Sequence, residues 1–481
     1  MKTQLAGKAL AVTLAMAVSV AFAGCEQKTE TTQNTTAAAS TSVSAETKYL
    51  TADDITVNET KENTADGEHA ITADGESVSY ESLAVKKTGN SSGDEADFYG
   101  ENAAIFATNK ATMTLKDILV ETNGEHANAV FSYGEGTSVN ISDSVIKTTG
   151  NCSGGLMTTG GGKMAANNLT IHTTGNSSAA IRSDRGGGTV NVTDGSYTTD
   201  GKGSPVIYST ADITVNNAKM ESTASQGVVV EGKNSVTLNN VDLTASNTTK
   251  NSDKSDYYQA VMIYQSMSGD ADEGASSFTM DGGKLTNKNG DILFVNNTTT
   301  TIDLTKATIV NKDEDGIFLR ACAAGWGSEG SNGGQVTLNA EEQTIDGDIV
   351  VDKVSTLNLL MTEKSAFTGA INEDGAAGDV YVELKNGSTW KLTGDSYITS
   401  LTCDADSIDL NGHKLYVNGK EYKSGSASTG EKVTAKATTS SKGQSGNGAG
   451  GKHSTPPEKP DGEHGGSGHG GTPPEKPGSK S

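Results

Sequence analysis

One short phrase is written over and over in this chain, and it limits the fold more than any other feature. Residues 129–150 read AVFSYGEGTSVNISDSVIKTTG. Upstream the phrase is AIFATNKATMTLKDILVETNG. Downstream it is AIRSDRGGGTVNVTDGSYTTDG, then PVIYSTADITVNNAKMESTASQ and GVVVEGKNSVTLNNVDLTASN. The copies open on Ile105, Val130, Leu156, Ile181, Val206, Val228, Val261, Ile292, Ile317 and Ile349. A period in the range of about 20 to 50 residues marks a repeat architecture whose units cannot bury their apolar faces alone. Inside each copy, apolar and polar residues alternate over three short runs, the period of strands, with β-branched residues in the inward slots. Three strands per copy and no helical run between them predict one coil of a right-handed, single-stranded parallel β-helix, a solenoid with three strands per coil.

The inward slots read as columns. The second strands supply Met113/Leu115, Val139/Ile141, Val190/Val192, Ile213/Val215, Val236/Leu238, Phe278/Met280, Ile302/Leu304 and Val336/Leu338. The third strands supply Ile118/Val120, Leu169/Ile171, Val241/Leu243 and Ala307/Ile309. Between them runs a column of Asp117, Asp143, Asn168, Asp194, Asn217 and Asn240. Asn and Asp tolerate left-handed backbone and bond to their own turns, so this column predicts a recurring tight corner with a structural role. The Thr-Thr-Gly and Thr-Gly-Asn segments that follow read as corners too.

With 37 basic and 60 acidic side chains, the net charge is −23. That balance argues against a nucleic-acid partner, whose phosphates need a basic footprint. The chain opens with Lys2 and Lys8 and an apolar run from Ala9 to Ala23, a secretory leader too short to span a membrane. The leader ends Ala23-Gly24-Cys25, which resembles a bacterial lipobox and implies lipidation of Cys25 after removal of residues 1–24. The alternative is a plain secreted protein. Residues 25–48 read as a flexible tether, 49–425 as the β-helix with atypical closing coils from about 336, and 426–481 as a disordered Gly/Ser/Pro-rich tail holding two copies of TPPEKP. Cys152, Cys322 and Cys403 are far apart, and the histidines are scattered, so neither a disulfide framework nor a zinc motif is indicated.

Function is expected on the first strand of each coil. If Ile105, Val130 and their equivalents point inward, then Phe106, Phe131, Met157, Arg182, Ile207, Val229, Met262, Leu293 and Phe318 point outward, a nearly continuous apolar stripe. An inserted loop lying over it, or a register misread by one residue, would remove that stripe. Four insertions, residues 88–100, 246–259, 265–276 and 321–334, interrupt the corners flanking this strand, and insertions in solenoids gather on the binding face. They carry or directly adjoin the candidate ligand-binding residues Phe98, Tyr99, Tyr257, Tyr258, Tyr264, Arg320 and Trp326. Asp270, Asp272 and Glu273 are candidate ligands for Ca2+, since clustered carboxylates are what calcium takes. The expected partner is a polysaccharide, or a host or cell-surface glycan or protein.

The solenoid pattern over roughly residues 50–425 resembles the pectate-lyase-like superfamily of right-handed parallel β-helices and the adhesin-like bacterial surface proteins within it. Residues 388–401, with their Trp-containing turn, resemble the ends of adhesin passenger domains. The resemblance implies a monomeric surface lipoprotein on the outer side of a bacterial envelope, touching the membrane only through its lipid. Lyases of that superfamily use clustered acids and a basic residue; Arg182 with Asp184 is the nearest match, and Asp313 with Asp315 is the nearest pair for a glycoside hydrolase. Adhesion or polysaccharide binding is the leading expectation, a lyase or hydrolase the runner-up, and a ligand-free spacer the third.

Overall fold

A computed structural model describes residues 48–440 apart from 251–252, 374 and 376–377. The leader, Cys25, the tether up to residue 47, and the tail from residue 441, with both TPPEKP copies, lie outside the described residues. The described chain is a parallel β-helix. Eleven first strands, from Ile71–Asp74 through Ile105–Thr108 and Val130–Tyr133 to Ile349–Val351, stack in chain order as one parallel sheet, here called sheet one. A second sheet of 18 strands forms the other two faces of the coils.

The Asx column makes the bend between those two faces. Thr112–Thr122, Ser138–Thr148, Gly162–Thr173 and Gly188–Thr199 each run through both faces and turn at Asp117, Asp143, Asn168 and Asp194. These four, with Asn217 and Asn240, have φ between 47° and 58°. Their side chains also bond along the stack, Asn168 Nδ2 to Asp143 Oδ1 at 2.8 Å and Asn240 Nδ2 to Asn217 Oδ1 at 3.1 Å. A small polar side chain is favoured there because the left-handed backbone costs other residues about 1–2 kcal/mol.

The interior is the set of columns read from the alternation. Met113, Val139, Met164, Val190, Ile213, Val236, Phe278 and Ile302 are in register down one face, and Val120, Ile146, Ile171, Tyr197, Met220, Leu243, Leu285 and Ile309 down the next. Ile302 is followed by Leu338, with Val336 against Thr300, a two-residue shift that keeps every side chain on its expected face. Sheet one needs larger corrections. Its inward column is Ile105, Val130, Leu156, Ile181, Ile207, Val228, Val261, Leu293, Leu319 and Ile349, so Val206, Ile292 and Ile317 are not members. The outward column accordingly holds Tyr208, Phe294 and Arg320 in place of Ile207, Leu293 and Phe318.

A third column explains the Thr-Gly corners. A Cβ on Gly124, Gly150, Gly175 or Gly201 would collide with the carbonyl oxygen of Gly89, Gly124, Gly150 or Gly175 respectively, one coil earlier. Beside it, Thr148, Thr173 and Thr199 each donate a hydroxyl to the carbonyl of Ser153, Ser178 or Ser204 five residues on, at 2.5–2.6 Å. The corner is thus closed by backbone packing and buried hydroxyls instead of apolar side chains.

The late coils change construction. A four-stranded sheet (Thr344–Asp346, Ala366–Thr368, Thr389–Lys391, Ile408–Asp409) forms there, and Trp390 stacks on Phe367 at 5.4 Å while donating Nε1–H to Gly369 O at 2.9 Å. An antiparallel turn, Leu415–Val417 with Lys420–Glu421, covers the last edge, where an open parallel edge would invite pairing with another chain. Beyond it the chain is not a disordered tail, at least to residue 440. Residues 426–440 form an extended strap that runs back along the solenoid. Ser428 pairs with Cys403, Val433 with the Asn358 amide at 3.0 and 3.1 Å, Lys436 N with Gln335 Oε1 at 2.8 Å, and Thr439 N with Asn297 Oδ1 at 3.1 Å. The strap thus extends the ordered chain past the expected boundary at 425 through residue 440, the last described one.

Candidate functional site

The four insertions gather on sheet one, and they cover the stripe that the alternation leaves outward. Residues 94–99 form a short helix, α1 (Asp94–Tyr99). Phe106, Phe131, Tyr133 and Met157 make a buried cluster with Ala103, and Tyr99 packs against it, edge-on to Tyr133 at 5.7 Å. Further along, Val229, Met262, Tyr264, Phe294 and Cys322 form a second cluster, with Tyr208, Ala324 and Trp326 packed on it. The outward stripe is consequently not an exposed apolar face. Phe106, Phe131, Met157, Val229 and Met262 are all buried.

What remains open is a cleft of about 110 Å3 over the second cluster, walled by the 246–259 insertion. Tyr208, Tyr257, Tyr258, Tyr264 and Trp326 line it, with Met262 and Val229 as its floor and Gln226, Asn247 and Gln259 among its polar members. Four of the sequence-predicted residues thus meet. Tyr264 and Trp326 lie edge-to-face at 5.1 Å, and Tyr257 lies 6.0 Å from Phe294. Two of the insertions brace each other, Gly325 N donating to Lys254 O at 2.6 Å, and the next coil's corner holds one of them, Asn289 Nδ2 donating to Asn247 O at 2.6 Å. Tyr257 is 40% exposed, and among the described residues Val57 is the other large apolar side chain left so open.

Arg320 is brought to the cleft as a support. Its guanidinium stacks under the Tyr257 ring at 4.0 Å and its Nε–H bonds Asp291 Oδ2 at 2.6 Å. Burial raises the Asp291 carboxyl, and Arg320, by hydrogen bond and charge, works against that shift. Behind the floor, Glu231 is buried and accepts from Tyr208, from Tyr264 at 2.8 Å and from Ser266. Burial first pushes both tyrosine hydroxyls well above their ordinary range, followed by Glu231 for Tyr264 and by Tyr264 and then Glu231 for Tyr208. They are fixed donors whose rings are held in place for the cleft. Neither Tyr208 nor Glu231 stands out in the sequence; each appears as one more residue of a strand.

The other expected residues do not join the cleft. Phe98 and Tyr99 sit on α1, where Phe98 receives the Arg185 guanidinium at 3.7 Å. Asp270 is held by Arg185 at 2.9 Å, and Asp272 by Lys233 at 2.7 Å. Asp270, Asp272 and Glu273 do not converge as a metal-binding group. Basic side chains pair with two of the three carboxylates expected to hold calcium. Arg182 and Asp184 pair with each other at 2.7 Å, with side-chain exposures of 15% and 6%. An arginine neutralised in this way does not offer the free basic group a lyase needs. Asp313 is a corner residue, accepting from Gly290 N at 2.6 Å and from Asp315 N at 3.1 Å. That bonding matches an Asx turn, not the opposed carboxylates of a hydrolase.

A separate cluster sits where α1 meets the corners of the early coils. His126 Nδ1 bonds Asp97 Oδ1 at 2.8 Å, and Cys152 lies beside them. Asp97 first, then Cys152, raise the His126 imidazole to about 10, so it is an imidazolium in this arrangement. Among the described residues, no helix is long and apolar enough to cross a membrane. Searches for relatives return no matching family model, no matching curated protein and no matching solved structure.

Proposed function

We propose that this chain is a lipid-anchored bacterial envelope protein that binds a polysaccharide or cell-surface glycan in the aromatic cleft of sheet one. The observation that carries the reading is the convergence of Tyr208, Tyr257, Tyr258, Tyr264 and Trp326 on one open cleft, with Tyr257 left exposed. Sugar rings present apolar C–H faces and peripheral hydroxyls. A wall of tyrosine and tryptophan matches both, because each has an apolar body and a polar tip. The amides of Gln226, Asn247 and Gln259 supply directional partners nearby. The leader and the Ala-Gly-Cys sequence at Cys25 support export and anchoring, and the solenoid supports the kinship with adhesin-like β-helix proteins. The lyase and hydrolase readings lose their candidate groups to the ion pairs and corner bonds described above.

A glycan array probed with the full chain, with and without calcium, tests this reading. Binding is expected, and Tyr258→Ala and Trp326→Ala are each expected to weaken it on the order of tenfold, the worth of about 1.4 kcal/mol of stacking. Tyr397→Ala, at the far cap, where Tyr397 stacks on Tyr416, is expected to leave it unchanged. A blank array, or binding indifferent to both cleft substitutions, would remove the proposal and leave the spacer reading.

A further inference from the structure

The corner at which α1 meets the solenoid brings together three chemically dissimilar side chains. Asp97 comes from the helix, and His126 and Cys152 come from successive coils. The backbone stacks the two corners directly: His126 N donates to Asn151 O at 2.9 Å, and Cys152 N donates to Asn176 O at 2.8 Å. Both residues are left-handed, each with φ 54°, as is Ser177 at the same place one coil later (φ 54°) and Gly203 after it (φ 63°). A left-handed position favours Gly, Asn or Asp, and nothing in the backbone asks for His or Cys there. Their side chains are half-buried, and one ligand atom from each of the three residues lies within 4.8 Å of the other two.

From this geometry we infer that Asp97, His126 and Cys152 form a binding site for a borderline divalent metal ion, Zn2+ in particular. The donor set selects the metal. A thiolate and an imidazole suit zinc, whereas calcium and magnesium take oxygen ligands. Tetrahedral zinc, with bonds of about 2.3 Å to sulfur and about 2.0 Å to nitrogen and oxygen, places its ligand atoms roughly 3.3–3.6 Å apart. Starting from separations of at most 4.8 Å, each pair closes by up to about 1.5 Å to reach that spacing, which χ rotations on a short inserted helix and two corners can supply. Zn2+ replaces the proton held between His126 and Asp97 and the thiol proton of Cys152, so two protons leave to solvent. The protein supplies three ligands and leaves the fourth position open to water. The ion ties α1 to two coils at a point now joined by the His126–Asp97 pair.

Zinc content and thiolate coordination can be read on the full chain. After dialysis against Zn2+, one tightly held equivalent per chain is expected. Replacing it with Co2+ should give a thiolate-to-cobalt charge-transfer band in the near ultraviolet. Cys152→Ser should abolish that band, and His126→Ala and Asp97→Asn should each weaken binding roughly tenfold or more. His453, His464 and His469 in the tail are a competing source of ligands, but they carry no sulfur. Zinc that disappears only when those three are replaced, with no thiolate band, overturns the inference. Alkylation of the unaltered protein guards against variants that fail to fold. Zn2+ should slow modification of Cys152, and a chelator should restore it. The buried Cys322, whose thiol burial pushes up to about 12, stays unreactive throughout and serves as the internal reference. Cys152 alkylation that is indifferent to Zn2+ equally overturns the site.

Discussion

Gly175→Ala is expected to destabilise the protein by about 3 kcal/mol or more, enough to deplete the folded chain during expression. One methyl group is added, but it points at the carbonyl oxygen of Gly150 in the preceding coil, a backbone atom that no rotamer change can move aside. Only separation of the two coils makes room. That separation strains the parallel pairing on both sides of the corner, where Thr174 N donates to Thr148 O at 2.9 Å before it and Cys152 N donates to Asn176 O at 2.8 Å after it. Overpacking of a tight core costs about 1–3 kcal/mol and more when backbone has to shift. Gly134→Ala is the control. Gly134 is left-handed at φ 90° but a Cβ there meets nothing within 4 Å, so its cost is the backbone term alone, about 1–2 kcal/mol. Urea unfolding of both variants settles the matter: a Gly175→Ala chain no less stable than Gly134→Ala would mean that the glycine column is not close-packed.

The same contrast between local pattern and long-range contact separates what could be read in the sequence from what could not. The interior of the second sheet was legible because β-branched slots alternate strictly with polar ones, as in Val139-Asn140-Ile141 and Ile213-Thr214-Val215. Such parity survives stacking, since a slip by one residue would turn every side chain over. Sheet one was misread at Val206, Ile292 and Ile317 because its strands there are apolar on consecutive positions, PVIY, DILFV and GIFLR, and consecutive apolar residues carry no parity. The meeting of Tyr257, Tyr258, Tyr264 and Trp326 was legible because the insertions that hold them belong to neighbouring coils. Covering of the stripe was not, since whether a loop folds back over a strand depends on contacts such as Phe98 with Arg185 and Gly325 with Lys254, which have no local signature. The cluster of Asp97, His126 and Cys152 was hidden for a related reason: its members are each about one coil apart in sequence and look scattered until the coils are stacked.

Ending the chain after Gly425 is expected to loosen the closing coils, whereas ending it after residue 440 is expected to leave them as they are. Residues 426–440 contain few apolar side chains, and their composition reads as unstructured. They hold their place by another device: strap backbone groups bond side-chain amides that project from successive coils. The Asn358 amide exchanges two bonds with Val433, Gln335 accepts from Lys436, and Asn297 accepts from Thr439. Lys436 adds an ion pair with Asp379 at 3.0 Å, and Thr439 Oγ1 reaches Ser328 N at 2.6 Å, next to the Trp326 loop. At about 1 kcal/mol net for a typical bond, the four amide bonds alone amount to roughly 4 kcal/mol. A solenoid is stabilised by nearest-neighbour terms, so this loss should stay local. Hydrogen exchange should quicken for residues 291–403, which the strap crosses, and stay unchanged for residues 105–199. Uniform exchange in the two truncated chains would show that the strap lies on the solenoid without holding it. Because Thr439 of the strap bonds Ser328 beside Trp326, the shorter chain should also bind glycan more weakly in the assay proposed for the cleft. That places the stability of the cleft wall partly in residues more than a hundred positions away in the sequence.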